Sequence, residues 1–358
     1  MKKVSIDEIV GAEVLARDVM NDTGTTLMIA GTVIKREYAQ KLKYLNINYV
    51  YITDQYEYTN PYNKRMYVDE IIELQIKEQC QEKVKETIEL YASYGIDQLT
   101  PIVSIADCII SDVLKQPEVT YNICGIRERS EGAFAHCVNV CAMSVLIAIR
   151  MKLPTEKIKD IAVGCLLHDI GITYYANRTE LDEAEITEDT WNEYKKHVIY
   201  GYSLVSAEEW ISNTSKDIVL SHHENLDGSG YPFGLEGKKI KKPIRIVSVC
   251  DTFDRMVYGV SGKKYKVFEA IDYIVSKADI LFDIKVVQVF LDTVAAYPNG
   301  SIVTTNRGDR AIVVRQNRKC PTRPIIRRIE DIQGVSCIGE EEINLVEDLT
   351  LFITDTEL

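Results

Sequence analysis

The chain has 358 residues, 46% hydrophobic and 27% charged, the balance of a globular protein with room for more than one domain and for a buried site. A formal net charge of -12 excludes a broad basic surface for bulk nucleic acid or anionic membrane, and no apolar run approaches the ~18 residues that cross a bilayer. Nine cysteines without a CxxC pair, and acids where a signal peptide would carry its apolar core, predict reduced thiols and a cytoplasmic chain.

In chain order, the stretch "GAEVLARDVMNDTGTTLMIAGTVIKREYAQKLKYLNINYVYIT" reads as short β-rich runs broken by turn residues, one amphipathic helix and a closing strand. "QYEYTNPYNKR" is a polar, proline-containing connector. "YVDEIIELQIKEQCQEKVKETIELYASYG" repeats apolar residues at helical spacing amid mixed charge, a helix suited to linking domains or pairing in a homodimer. From about Pro101 to Phe282 the pattern is helical almost throughout, including "AHCVNVCAMSVLIAIRM", "EKIKDIAVGCLLHDIG", "WNEYKKHVIYGYSLVS", "SKDIVLSHHENL" and "PIRIVSVCDTFDRMVYG". After a last helix, "KVVQVFLDTVAAY", come the β-rich segments "SIVTTNRGDRAIVV", "TRPIIRRI" and "NLVEDLTLFITD", with "NRGD" as a hairpin tip. The expected fold is mainly α, a helical bundle with a small α+β N-terminal unit and a small β-rich C-terminal unit.

All five histidines, His136, His168, His197, His222 and His223, fall in the helical region, each on a predicted helix or at its end. One helical histidine is ordinarily a satisfied core or surface residue, but five in one domain ask for a common partner. "LLHDIG" delivers His168 and Asp169 consecutively from an apolar face, with Gly171 closing the helix, and an aspartate buried there needs a cation or a paired donor. "HVIYG" sets Gly201 one turn from His197, leaving room for a ligand or a packed helix. His222 and His223 project about 100° apart, so both face one cavity only near a helix end or between two metals, with Glu224 placed to orient an imidazole. "SVCDTFDR" puts Asp251 and Asp254 on one helix face, one acid to bind metal and the other to hold a ligand.

Five imidazoles with Asp169 and Asp251 form a nitrogen and oxygen set suited to iron, manganese or zinc, and too rich for one ion. Two metals sharing Asp169 is the economical inference. Such a pair yields hydroxide at neutral pH and stabilises both oxygens of an in-line displacement at phosphorus, which predicts phosphoester hydrolysis. Cys137, Cys165 and Cys250, near these residues in sequence, are expected to be small buried hydrophobes.

In matching order, His136, "HDIG", "HVIYG", "HHENLDGSGYP" and "DTFD" resemble the motifs of the HD-GYP family, helical phosphodiesterases of the HD superfamily. The resemblance implies an HD-type catalytic core over residues 120–285, an accessory unit over 1–58, linker helices over 59–119, and a helix plus β-rich unit over 286–358. It implies hydrolysis of cyclic di-GMP to pGpG or GMP. His136, His168, Asp169, His197, His222, His223 and Asp251 match the ligands of two divalent metals, iron or manganese ahead of zinc, and Asp169, His168 and His197 carry the catalysis. Asp227, Gly228, Gly230 and Tyr231 of the family's named loop, with Asp254, Arg245, Lys263 and Lys264, are the expected substrate contacts, and Glu224 supports the ligands.

Three positions depart from the family pattern. Ile172 stands where most members carry the lysine after HDIG, removing a charge that would meet substrate phosphate. Val260, in "GVSGKKY", stands at an arginine position, and lysine at 263 or 264 does not reproduce arginine's planar fork. Gly132, with Glu131 turned about 100° away, stands where some members place a glutamate for a third metal, so two metals are expected. The competing expectations are a weakly active or inactive cyclic di-GMP receptor, and a phosphodiesterase for another cyclic dinucleotide.

Overall fold

A computed structural model of the chain describes residues 2–6, 9, 13–20, 26–29, 31–45, 47, 49–52, 74–94, 99–115, 121–122, 133–174, 188–259, 264–297, 299–317, 320–332 and 342–357. They divide into two units, 1–66 and 67–357. The expectations placed on the connector and on Glu131, Gly132, Val260 and Lys263 lie outside the described residues.

The first unit is α+β. Strand β1 (Lys2–Ser5), the hairpin of β2 (Val19–Met20) and β3 (Thr26–Met28), helix α1 (Arg36–Tyr44) and strand β4 (Tyr49–Ile52) enclose Val4, Leu15, Ile34, Leu42 and Val50, with β1 antiparallel to β4.

The second unit is mainly α. Its helices are α2 (Leu74–Tyr94), α3 (Pro101–Lys115), α4 (Ala133–Arg150), α5 (Thr155–Leu167), α6 (Glu188–Tyr194), α7 (His197–Ser206), α8 (Asn213–Ser221), α9 (Lys242–Tyr258), α10 (Val267–Ser276) and α11 (Ile284–Thr293). Every residue of α4 from Ala135 to Ala148 is buried, so this helix runs through the core rather than over it. It packs against α2, α3, α5, α9 and α11, and one apolar cluster joins these helices to the C-terminal strands. Ser212 caps α8 by accepting the Ser215 N–H at 3.1 Å, and Gly259, at φ +70°, closes α9 in the left-handed conformation. No helix among the described residues is long and apolar enough to cross a membrane.

Two segments expected as single helices end early. "WNEYKKHVIYGYSLVS" breaks at Lys195 and Lys196, where the Tyr194 carbonyl accepts the His197 Nδ1–H at 2.8 Å. "KVVQVFLDTVAAY" leaves the helix after Thr293, where Arg150 Nη1 donates to the Asp292 carbonyl at 2.6 Å; the chain continues as β6 (Val294–Ala295), parallel to β5 (Tyr121–Asn122).

The C-terminal strands β7 (Ile302–Thr305), β8 (Arg310–Arg315), β9 (Ile325–Glu330), β10 (Glu342–Asn344) and β11 (Ile353–Glu357) form an antiparallel sheet in the order β10-β9-β8-β7-β11. Asn306–Asp309 is the hairpin tip between β7 and β8, with Gly308 at φ +82°. "NLVEDLTLFITD" divides: Asn344 turns the chain by accepting the Val346 N–H at 3.2 Å, and only the last part forms β11.

Candidate metal centre

Five places in the helical unit deliver the seven expected ligands. His136 comes from α4, and His168 and Asp169 from the end of α5, where it tightens into a 3-10 turn, Ile170–Tyr174. His197 opens α7, His222 is the C-cap of α8 with His223 just beyond, and Asp251 lies in α9. Helix ends therefore aim the adjacent His222 and His223 into one space. The ligand atoms fall into two clusters, Asp169, His197, His222 and His223 in one, and His136, His168 and Asp251 in the other, with each cluster's atoms within 4.8 Å of one another.

Asp169 faces both clusters with different oxygens. Its Oδ1 lies 3.2 Å from His197 Nε2 and 3.7 Å from His222 Nε2; its Oδ2 lies 3.4 Å from His168 Nε2 and 3.7 Å from His136 Nε2. Asp251 Oδ1 is 3.0 Å from His136 Nε2 and 3.5 Å from His168 Nε2, and Asp251 Oδ2 is 3.4 Å from His223 Nδ1.

The outer ring nitrogens fix the tautomers. His168 Nδ1–H donates to the Cys165 carbonyl at 2.7 Å, His197 Nδ1–H to Tyr194 at 2.8 Å, and His222 Nδ1–H to Ile218 at 3.1 Å. A neutral imidazole that donates from Nδ1 turns a lone pair outward at Nε2, so in His197 and His222 that lone pair meets the lone pairs of Asp169 Oδ1. Both Asp169 oxygens and the Nε2 atoms of His197, His222 and His223 are buried without a hydrogen-bond partner. Acceptors facing acceptors in a buried space are stable together only around a cation, and the donor set fits a divalent metal.

The electrostatics agree. Burial opposes ionisation of Asp169, yet the charges of His168 and then Arg255 hold it well below the usual carboxylate range. Burial also lowers His222, to about 4, and holds His223 well below its ordinary value, so both are neutral at pH 7. His136 differs: burial pushes it down, but hydrogen bonds to Asp251 and Asp254 lift it to about 9.

Glycines set the approach of these elements. Gly171 does not cap its helix; it lies in the 3-10 turn against α7, where an added Cβ would collide with the His197 carbonyl and stand 2.6 Å from Gly201 N. Gly201 leaves room for packing, its own Cβ position being 3.0 Å from Val219 and 3.3 Å from Gly171 N. Gly171→Ala must therefore push α7 off the turn that carries Asp169. It is expected to cost at least ~2 kcal/mol in unfolding free energy and to lower metal content, read from denaturant midpoints and elemental analysis. Gly230 lets its loop fold back on the histidine pair, with Tyr231 N–H donating to the His223 carbonyl at 3.2 Å.

Several expected substrate contacts are placed otherwise. Asp254 is buried behind His136 and accepts its Nδ1–H at 2.7 Å, so it holds a ligand and does not face substrate. Glu224 touches no imidazole through its carboxylate: Oε1 accepts the Phe233 N–H and Oε2 the Leu235 N–H, both at 2.8 Å, which ties down the chain after the Gly230 turn. Arg245 is spent on Asp283 at 2.8 Å and on the Ile240 and Gly237 carbonyls. Asp227 sits on the exposed side of its loop and accepts the Ser229 N–H at 2.9 Å, beside Gly228 at φ +80°. Lys264 is exposed ahead of α10. Tyr231 does reach the centre, its ring stacked on His223 with centroids 4.7 Å apart. Cys137, Cys165 and Cys250 are buried outside both ligand clusters, and burial pushes the Cys165 thiol up to about 12.

Two residues at the centre escaped the sequence reading. Arg255 Nε donates to Asp251 Oδ1 at 3.1 Å, and its Nη1 donates to the Tyr194 hydroxyl at 2.6 Å. The available signal was an Asp and Arg one helical turn apart on an otherwise apolar helix.

Residues 120–286 match the family model described as HD domain, and residues 302–356 the one described as KOW domain associated with HD domain. A cyclic di-GMP phosphodiesterase of Pseudomonas aeruginosa is 27% identical over 242 residues, 67% of this chain and 58% of the relative. A cyclic di-GMP phosphodiesterase response regulator of Xanthomonas campestris pv. campestris is 33% identical over 171 residues, 46% of this chain and 44% of the relative. A 3'3'-cGAMP-specific phosphodiesterase of Vibrio cholerae is 31% identical over 137 residues, 36% of this chain and 30% of the relative. The chain spans about half the length of these first two relatives. All seven clustered residues lie inside the first matched segment, and strands β7 to β10 with most of β11 lie inside the second: over residues 120–286 this chain is similar to HD domains, and over 302–356 to the KOW domain associated with them.

Proposed function

We propose that the chain is a metal-dependent phosphodiesterase that hydrolyses cyclic di-GMP, with two divalent ions, iron or manganese ahead of zinc, held by His136, His168, Asp169, His197, His222, His223 and Asp251. The observation that carries this reading is the pair of adjoining ligand clusters with one Asp169 oxygen turned to each, both oxygens buried and without a hydrogen-bond partner.

Bound there, such ions make water a nucleophile at neutral pH and offset charge at phosphorus. The protein's part is positioning. Backbone carbonyls at Cys165, Tyr194 and Ile218 hold three imidazoles with Nε2 inward, and Asp254 holds His136 the same way. Asp169 and Asp251 remain ionised and supply the negative charge that gathers the cations. Tyr231, pinned through its backbone to His223, offers a ring edge and a hydroxyl at the rim, suited to a nucleobase or sugar.

A second reading keeps the chemistry and changes the base, since a relative of similar identity is named for 3'3'-cGAMP. The test is purified protein loaded with iron or manganese, given cyclic di-GMP, 3'3'-cGAMP and a linear dinucleotide in parallel. Cleavage of cyclic di-GMP with the highest kcat/KM supports the first reading; preference for cGAMP selects the second; binding of cyclic di-GMP without cleavage of any member would leave a receptor instead.

A further inference from the structure

Arg255 is a buried cation inside a site built to gather cations. Its side chain is 9% exposed. Nε donates to Asp251 Oδ1 at 3.1 Å, both terminal nitrogens donate to the Tyr194 hydroxyl, and Nη2 stands 3.8 Å from Asp169 Oδ2. A guanidinium carries five N–H bonds, and these partners engage three of them. The two that remain sit one on each terminal nitrogen, and the one on Nη2 lies on the edge of the fork that approaches Asp169.

Tyr194 is the post that holds this fork. Its ring stacks on Trp191, with centroids 5.6 Å apart and planes within 13°, and packs with Ile172 in a small apolar cluster. Ile172 thus offers substrate no charge; it supports the phenol whose hydroxyl fixes Arg255. A guanidinium so close to two metal-gathering carboxylates weakens their hold on divalent ions, a standing cost unless an anion also arrives. A phosphodiester is such an anion, and a fork with unspent N–H bonds matches its oxygens.

We propose that Arg255, braced by Tyr194, is the phosphate-gripping residue of this site, donating its remaining Nη2–H to a non-bridging oxygen of the substrate. The inference rests on the phosphodiesterase reading, and it places the phosphate-facing cation on α9.

Inorganic phosphate is the probe. Manganese-loaded wild type, Arg255→Met, Arg255→Lys and Tyr194→Phe are titrated with phosphate by calorimetry after elemental analysis of each. Expected are unchanged manganese content in Arg255→Met with phosphate bound about 10- to 100-fold more weakly, the scale of losing hydrogen bonds from a charged donor. Arg255→Lys should fall between the two, and Tyr194→Phe, which keeps the ring on Ile172 but releases the fork, should weaken phosphate several-fold. Phosphate affinity in Arg255→Met equal to wild type overturns the proposal, as does loss of manganese from that variant, which would make Arg255 a brace for Asp251. If Arg255→Met does not fold, unchanged phosphate affinity in Tyr194→Phe overturns it. The two readings fail separately: no cleavage of any dinucleotide with phosphate still held through Arg255 defeats the enzyme reading alone, whereas cleavage with phosphate affinity independent of Arg255 defeats this one alone.

Discussion

On the proposed two-ion phosphodiesterase reading, Asp169→Asn is expected to drop the metal content from two ions per chain to one or none and to lower activity by on the order of 10³-fold, the scale on which loss of one buried electrostatic stabiliser acts. The argument is geometric. Asp169 Oδ1 lies against His197 and His222, and Oδ2 against His168 and His136, so one side chain serves both clusters. An amide replaces one of those oxygens by an NH2 group that donates, and removes the negative charge from the other. Whichever way the amide turns, one cluster loses an anionic ligand and gains N–H bonds pointing at the place of a cation. The fold should survive, because neither Asp169 oxygen has a hydrogen-bond partner and Ile170, Gly171 and Ile172 keep their turn. Elemental analysis beside far-UV circular dichroism decides: a folded Asp169→Asn protein that retains two ions per chain would sink the shared-ligand reading.

The two clusters were legible because each of their residues sits at a spot where local pattern and burial agree. His136 interrupts an apolar helix, His168 and Asp169 end one, and His222 and His223 share a helix end that a glycine-rich turn follows. Backbone periodicity needs no tertiary knowledge to find those places. The supporting residues were misread where a partner distant in sequence decides their fate. Arg245 was assigned to phosphate by position, but Asp283, at the start of α11, claims it. Glu224 was assigned to an imidazole, but the N–H groups of Phe233 and Leu235 reach it once the loop turns back through Gly230. Gly171 was read as a helix stop, since sequence shows the missing side chain but not the α7 backbone that fills its place. Arg255 and Tyr194 are 61 residues apart in sequence, and their hydrogen bond exists only when α9 and the end of α6 meet beside the two clusters. The helical unit and C-terminal hairpins were read at the level of elements; their ends shifted where Arg150 or His197 captured a carbonyl.

Metal binding by the two clusters should depend on pH in opposite degrees. In the metal-free protein His136 is lifted to about 9, chiefly by hydrogen bonds to Asp251 and Asp254 that overcome burial, and His168 is likewise raised by Asp169 against burial. His136 therefore carries a proton at pH 7 that a metal must displace. His222, lowered by burial to about 4, and His223, also lowered, carry none, and Asp169 is already ionised. The sign follows: affinity at the His136, His168 and Asp251 cluster rises with pH by about tenfold per unit for each proton displaced until about pH 9, while His222 and His223 at the other cluster hold no proton for a metal to displace at pH 7. The same shifts act on the metal-free fold. The proton on His136 contributes stability fully below its ordinary 6.5, lost as pH rises through 9, whereas neutral His222 contributes stability above 6.5 that is lost as pH falls towards 4. Calorimetric titration with manganese, repeated in buffers of differing ionisation enthalpy, reads the protons directly. One binding event should release at least one proton at pH 7 and strengthen between pH 6 and 8, and the other should release few or none. Two events with equal proton release would contradict the division of the site into a protonated and an unprotonated half.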